Sequence, residues 1–330
     1  MILWTVPLLA ALLIAFALGI RAGWWACRKL FRKGLFALRE DIVGVHIQPR
    51  EPGTLSFLAM GDVGTGDADQ QAVAATARRL CAERRCDFIL FLGDNFYNHG
   101  VNSIHDPKWQ SHYEALYAAI GIPVLPVLGN HDVKKDALAQ VLYSLRSTTW
   151  RMPNYQYAFQ AGPARFFALN TNLNLLAWIG LRKRLRPDPA HWTFVFGHHA
   201  LYGSGAQGDM DAVGRWYWRR YLQPMVDFYL GAHNHQLEHL RVPGHATEYV
   251  VSGAGGSHYR DKVAAGERFK GTRARSLFKH RDTGLAWFRV TADDVRVELL
   301  DGAGTLLYGF IRRRDGTVEG FPEAGSGAER

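Results

Sequence analysis

Five times along this chain a short, largely apolar run ends in a glycine-containing turn that carries Asp, Asn or His, and no other feature limits the fold as strongly. Leu55–Met60 leads into Gly61-Asp62, Phe88–Leu92 into Gly93-Asp94-Asn95-Phe96-Tyr97, and Pro123–Leu128 into Gly129-Asn130-His131-Asp132. Thr193–Phe196 leads into Gly197-His198-His199, and Phe228–Leu230 into Gly231-Ala232-His233-Asn234-His235. Runs this short with no polar face read as buried strands. In open α/β sheets, the region just past the carboxyl ends of the strands is where ligands bind. One Asp or His there is ordinary turn chemistry. Five in series, all offering O or N donors, read as one site.

The intervening segments supply the rest of an α/β fold. Asp67 or Asp69 caps a helix running to about Arg84, with Ala72, Val73, Ala77, Leu80 and Cys81 on one face. Residues 107–120 read as a second helix and Gln156–Asn170 as a hairpin turning at Gly162-Pro163. The basic segment 181–186 reads as a solvated helix face, and Gly214–Tyr221 as a helix with aromatic core positions. Glu248–Ser252 is a further strand, emptying into Gly253–Ser257, a loop flexible enough to approach a bound group closely. Residues 260–281 carry Arg260, Lys262, Arg268, Lys270, Arg273, Arg275, Lys279 and Arg281, a solvated run whose other reading is the steering of an anionic substrate. Gly284–Thr291, Val295–Leu300 and Thr305–Arg312 read as closing antiparallel strands.

A formal charge of +9 points to anionic partners: phosphorylated substrate, anionic lipid or nucleic acid. No nucleic-acid-reading motif is present, so nucleic acid is the weakest of the three. Met1–Ile20 has no charged side chain, and as a helix it would be about 30 Å long, a bilayer's hydrocarbon thickness. The alternative is a cleaved signal peptide ending near Ala15-Phe16-Ala17. The first stretch has no Lys or Arg, which favours an uncleaved anchor. Arg21, Arg28, Lys29, Arg32, Lys33 and Arg39 follow, interleaved with Trp24, Trp25 and Phe31, and suit a bilayer surface. The sequence therefore predicts a single-pass membrane protein contacting the bilayer through residues 1–22 and this basic flank, its remainder on the cytoplasmic side by the positive-inside rule. Cys27, Cys81 and Cys86 form no disulfide framework or zinc spacing and read as buried thiols in a reducing compartment, with a Cys81–Cys86 bridge as the alternative.

Two metals about 3.5–4 Å apart need a bridging carboxylate, and Asp94, on the middle run, is the candidate. Carboxylate with phenolate on one side favours a trivalent ion, and imidazole with amide on the other favours a divalent one. Tyr97 is the most discriminating residue, because phenolate ligands are uncommon.

The five motifs resemble those of purple acid phosphatases, closest to the small tartrate-resistant type within the calcineurin-like metallophosphoesterases. Trp150–Pro153, Val251–Gly255 and the strands from Gly284 extend the likeness over roughly residues 54–315. The resemblance implies an α/β fold, a β-sandwich flanked by helices on both faces (α/β/β/α), here preceded by the N-terminal transmembrane helix. It implies Fe(3+) on Asp62, Asp94, Tyr97 and His235, and a divalent ion (Fe, Zn or Mn) on Asp94, Asn130, His198 and His233. His131 would face the substrate phosphate, with Asp132 orienting its imidazole. The implied activity is phosphomonoester hydrolysis by a metal-bound hydroxide, on a phosphorylated small molecule or lipid, and extracytoplasmic in contrast to the charge rule.

Two departures stand out. Ala232 replaces the glycine usual before the last motif's first histidine, and Gln207 stands where the family has a second histidine nine residues past His198. His199 or His258 is the candidate replacement acid. Competing readings are a phosphodiesterase or lipid-headgroup phosphatase on the same metals, and a metal-binding scaffold without turnover. The expected domains are an anchor at 1–22, a basic juxtamembrane segment and linker at 23–53, a phosphoesterase domain at 54–316, and a disordered tail at 317–330.

Overall fold

The computed structural model describes Gly19 and residues 41–173 and 175–321. Two seven-stranded sheets lie face to face. The first has the order β14-β13-β12-β11-β1-β2-β3 and the second β10-β8-β9-β7-β6-β5-β4. In the first, β1 (Leu55–Met60), β2 (Phe88–Phe91) and β3 (Val124–Pro126) are parallel. On its other edge β1 pairs antiparallel with β11 (Gly284–Val290), and the meander continues through β12 (Asp294–Asp301), β13 (Leu306–Arg313) and β14 (Val318–Phe321). The second sheet is parallel through β5 (Ala164–Leu169), β6 (Trp192–His199), β7 (Phe228–Ala232) and β9 (Glu248–Ser252). Antiparallel β4 (Tyr157–Ala161) flanks β5, while β8 (Leu237–Arg241) pairs antiparallel with β9 and β10 (Arg275–His280) pairs antiparallel with β8 at the sheet edge.

The strands are greasy on both faces because both are covered, as parallel sheets require. Between the sheets the filling is aromatic. Phe57 on β1 stacks between Phe88 and Phe288 (centroids 5.0 and 4.7 Å), and Phe166 and Phe194 of the second sheet meet it edge-on at 5.4 and 5.6 Å. Outside the first sheet lies α1 (Ala68–Arg84), which buries Val73, Ala77 and Leu80. Asp67 caps it by accepting from Gln70 N, and Arg85, with φ 54°, ends it in a left-handed turn. Helical turns Trp109–Glu114, Ala115–Tyr117 and Ala118–Ile120 stand where one second helix was expected. Beyond α2 (Ala137–Tyr143), α3 (Leu175–Arg184) and α4 (Ala212–Tyr221) cover the second sheet, with Trp178 and Trp218 buried between.

Four expectations are corrected. Among the described residues no helix is long and apolar enough to cross a membrane. The longest, α1, has 17 residues and carries Arg78, Arg79, Glu83 and Arg84. The single-pass assignment, and the sidedness built on it, is withdrawn; apart from Gly19, the proposed span at 1–22 and the flank to residue 40 lie outside the described residues. Residues 41–53 are no free linker, since Ile42, Val45 and Ile47 pack on the core and Arg50 N bonds Asp87 Oδ1 at 2.7 Å. The expected tail begins as a strand, β14, paired along β13. Cys81 and Cys86 form a disulfide, because the left-handed Arg85 turns the chain back until their Cα atoms are 4.7 Å apart.

Candidate metal centre

All five motifs meet at one edge of the sandwich, past the carboxyl ends of β1, β2 and β3 on one side and of β6 and β7 on the other. Local backbone geometry aims the donors. Asp62, Asp94 and His233 adopt φ of 55°, 50° and 68°, the left-handed region that non-glycine residues rarely enter. Each thereby turns sharply off its strand instead of continuing it. The turns brace one another through Asp62 N–Gly93 O (2.9 Å) and Gly64 N–Asp94 O (3.2 Å). Gly129 is required, since a Cβ there would lie 2.1 Å from Asp94 Oδ1.

One half of the site gathers around Asp62. Its Oδ1 accepts from the Tyr97 hydroxyl at 2.7 Å and lies 3.4 Å from His235 Nε2, while its Oδ2 accepts from His233 N at 2.8 Å. Tyr97 OH is 3.2 Å from His235 Nε2. The other half gathers around His198, which is buried with Nδ1 against Leu92 O at 3.0 Å. That bond fixes Nε2 as the atom facing Asn130 Oδ1 (3.1 Å), His233 Nδ1 (3.1 Å) and Asp94 Oδ2 (3.5 Å). Donor atoms of Asp62, Asp94 and His198 all lie within 4.8 Å of one another.

The charges suit cations. Burial opposes ionisation of Asp62, yet His235 and His198, with hydrogen bonds from His235 and Tyr97, hold its carboxyl well below the ordinary range. Burial lowers the pKa of His198, Asp94 and Asp62 raise it, and the two carboxylates win. Burial and His198 push His233 down to about 3, leaving the neutral imidazole that metal ligation needs. Burial and the two carboxylates push the Tyr97 phenol far up. Such a phenol becomes a ligand only to a cation strong enough to displace its proton. Oxygen and nitrogen lone pairs converging on buried carboxylates, with a phenol in one half and imidazoles in the other, fit two metal ions.

The remaining sequence candidates divide. His131 stands at the open side, Nε2 3.9 Å from Asp94 Oδ2. Asp132 does not orient it, contrary to expectation. The Asp132 carboxylate is buried and accepts from Gly129 N (2.8 Å), Asn95 N (3.1 Å), Phe96 N (3.2 Å) and Gln140 Nε2 (2.9 Å), so it ties two turns together. His131 Nδ1 instead meets Asn98 O at 2.7 Å, with Lys134 Nζ 3.0 Å away. His199 lies beside the site, its ring 4.6 Å from that of His233 and its Nδ1 2.8 Å from Thr171 Oγ1. His258 turns away to Asp69 Oδ2 at 3.0 Å. Gln207 is exposed on a loop whose Gln207 and Gly208 amides donate to Asn234 Oδ1 (3.0 and 3.2 Å). Sequence reasoning missed Asn98, Lys134 and Asn234. Only Lys134 left a signal, three residues past His131 on a helical turn.

Comparison with known proteins agrees with this geometry. The calcineurin-like phosphoesterase family model matches residues 55–237. Purple acid phosphatase 3 of Arabidopsis thaliana is 27% identical, covering 79% of each chain. Tartrate-resistant acid phosphatase type 5 of Sus scrofa is 27% identical over 81% of this chain and 89% of its own. Among solved structures, GAP50, described as the anchor in the inner membrane complex of Plasmodium, superposes with a TM-score of 0.63 at 22% identity, covering 78% of this chain and 87% of that one. A purple acid phosphatase from yellow lupin (Lupinus luteus) seeds gives 0.58 at 15% identity, over 80% of this chain and 55% of that one.

Proposed function

The chain belongs to the calcineurin-like phosphoesterase family, and on that premise we propose that it is a phosphoric monoester hydrolase of the purple acid phosphatase kind. The observation that carries the reading is the Tyr97 hydroxyl, seated 2.7 Å from Asp62 Oδ1 and 3.2 Å from His235 Nε2. A phenol among carboxylate and imidazole donors is what separates a purple phosphatase centre from a plain binuclear phosphoesterase.

Asp62, Asp94, Tyr97 and His235 would hold a trivalent iron, and Asp94, Asn130, His198 and His233 a divalent iron, zinc or manganese. When bound, two such ions lower the pKa of water to supply a nucleophile near neutral pH and neutralise phosphoryl charge. The chain's own residues do the rest. Leu92 O fixes the His198 tautomer, which sets its ring plane and makes Nε2 the ligating atom. His131 Nδ1 donates a hydrogen bond to Asn98 O, which leaves Nε2 as the atom that would face the phosphoryl group. Burial and Lys134 lower the pKa of His131 while Asp94 and Asn98 raise it, and the net lowering makes a proton on Nε2 readily given to a leaving oxygen. His199, its ring 4.6 Å from that of His233, would assist where Gln207 offers no acid.

The substrate is a phosphorylated small molecule. The test is turnover by the iron-loaded chain of an aryl phosphate monoester against the matching diester. Monoester hydrolysis that vanishes on chelation is expected. Preference for the diester would move the assignment to a phosphodiesterase, and no turnover with both sites loaded would leave a metal-binding scaffold.

A further inference from the structure

Tyr259 lies outside every motif, yet its ring is packed on a candidate ligand. It stacks on the His235 imidazole, centroids 5.3 Å and planes 24° apart, and is 2% exposed. Its hydroxyl accepts from Ala206 N at 3.1 Å, and its backbone N bonds Arg281 O at 3.0 Å. Phe269 packs beside it at 5.0 Å, under the Arg281 guanidinium. The flanking residues are anchored as well: His258 to Asp69 (3.0 Å), and Arg260 to Asp282 (2.7 Å) and Asp69 (3.5 Å).

His235 needs such a neighbour. A ligating histidine ordinarily donates its second ring nitrogen to a fixed acceptor, which sets tautomer and ring plane. His198 has that acceptor in Leu92 O. Among the described residues His235 makes no hydrogen bond through Nδ1; its ring nitrogen contacts are Nε2 with Tyr97 OH at 3.2 Å and with Asp62 Oδ1 at 3.4 Å. The second torsion of a histidine side chain is broad, so without a bond at Nδ1 the plane rests on the Nε2 contacts and on packing.

We propose that Tyr259 is a positioning residue for His235: its buried, anchored ring fixes the imidazole plane in place of the missing Nδ1 hydrogen bond and so keeps Nε2 on the Asp62–Tyr97 half of the centre. The inference rests on His235 being a ligand. It also links the segment 257–281 to the loop bearing Gln207, since one ring touches His235 and one hydroxyl takes the amide of Ala206.

The experiment uses the full chain loaded with metal, and compares wild type with Tyr259→Phe, Tyr259→Leu and Tyr259→Met. Tyr259→Phe keeps the flat ring and loses the hydroxyl; the other two keep bulk and lose the plane. The readouts are metal content over time in a chelator, the position of any visible band, and the metal-free melting temperature. Loss of one metal per chain is expected to be about 10–100-fold faster in whichever aliphatic variant folds, the usual effect of removing a ligand's support. Tyr259→Phe is expected to track wild type. Unchanged metal retention in a folded aliphatic variant overturns the proposal, as does equal loss in Tyr259→Phe, which would assign the effect to the hydroxyl's bonds to the His235 and Ala206 backbone. A wild type that binds no metal overturns the functional reading itself, and this inference with it.

Discussion

Replacing Asp132 separates two roles that one carboxylate was expected to combine. It is buried, and its oxygens accept from three backbone amides (Gly129, Asn95 and Phe96) and from Gln140 Nε2, at 2.8 to 3.2 Å. Asp132→Ala leaves those four donors without this acceptor. A buried donor deprived of its partner costs about 1–3 kcal/mol, and water entering the space recovers part of that. The net loss is about 3–5 kcal/mol, at the upper end for single substitutions. Asp132→Asn keeps the shape but turns an NH2 toward donors, and loses about 2–3 kcal/mol by the same reckoning. The assay is urea unfolding of the metal-free chain, read as a lowered midpoint at constant slope. There is also a pH signature. Burial and Asp94 push Asp132 from 3.8 up to about 7, so the folded state holds a proton the unfolded state has released. Stability from that proton is fully present below about 4 and lost as pH rises through about 7, and Asp132→Asn should remove that slope. An alanine variant within about 1 kcal/mol of wild type, less than one buried hydrogen bond to a charge, would refute the tie. So would an asparagine variant of native stability whose kcat alone collapses, since that is the behaviour of a residue orienting His131.

Four further outcomes are expected. Iron-loaded wild type should be violet and Tyr97→Phe colourless with part of its metal retained, because the phenol oxygen beside Asp62 would be the charge-transfer donor; a visible spectrum decides it. Asp94→Asn should lose both metals or leave one loosely held, with activity down by orders of magnitude, and two tightly held metals by elemental analysis would disprove the bridge. Gly253→Ala puts a Cβ 2.8 Å from Asp62 Oδ2 and 2.3 Å from Asn234 O, so metal titration should show weakened binding in a chain that still folds. Cys81 and Cys86 should resist a thiol reagent until reduced, and rapid labelling of the native chain at both would remove the bridge.

Legibility in the sequence followed how local the determining physics was. The strands before each donor were readable because an apolar run bounded by glycine has few alternatives, and the structure brings Asp62, Asp94, Tyr97, Asn130, His198, His233 and His235 to one edge. Asp132 was misread because its neighbour in sequence, His131, is not its neighbour in space; left-handed Asp94 brings Asn95 and Phe96 to it instead. The disulfide was passed over for a related reason, since a continuous helix-to-strand reading hides the reversal at Arg85. β8, β10 and β14 went unseen, for β10 alternates exposed and half-buried positions and β14 buries little. Nothing local in Tyr259 announces that it ends beside a histidine.

The aromatic layer between the sheets has a mechanical consequence. Asp62, Asp94, Tyr97 and Asn130 are carried by the first sheet, and His198, His233 and His235 by the second. The centre is therefore a joint between two plates, and its tolerance is set by how far one plate can slide over the other. Phe57, gripped by Phe88 and Phe288 and met edge-on by Phe166 and Phe194, is the dowel that stops that travel. Rings packed at crystal-like density cannot shift gradually, and a metal site tolerates misplacement of only about 0.5 Å. Trimming Phe57 to leucine should thus loosen metal binding from a position within the layer between the sheets, with every ligand still present in the chain.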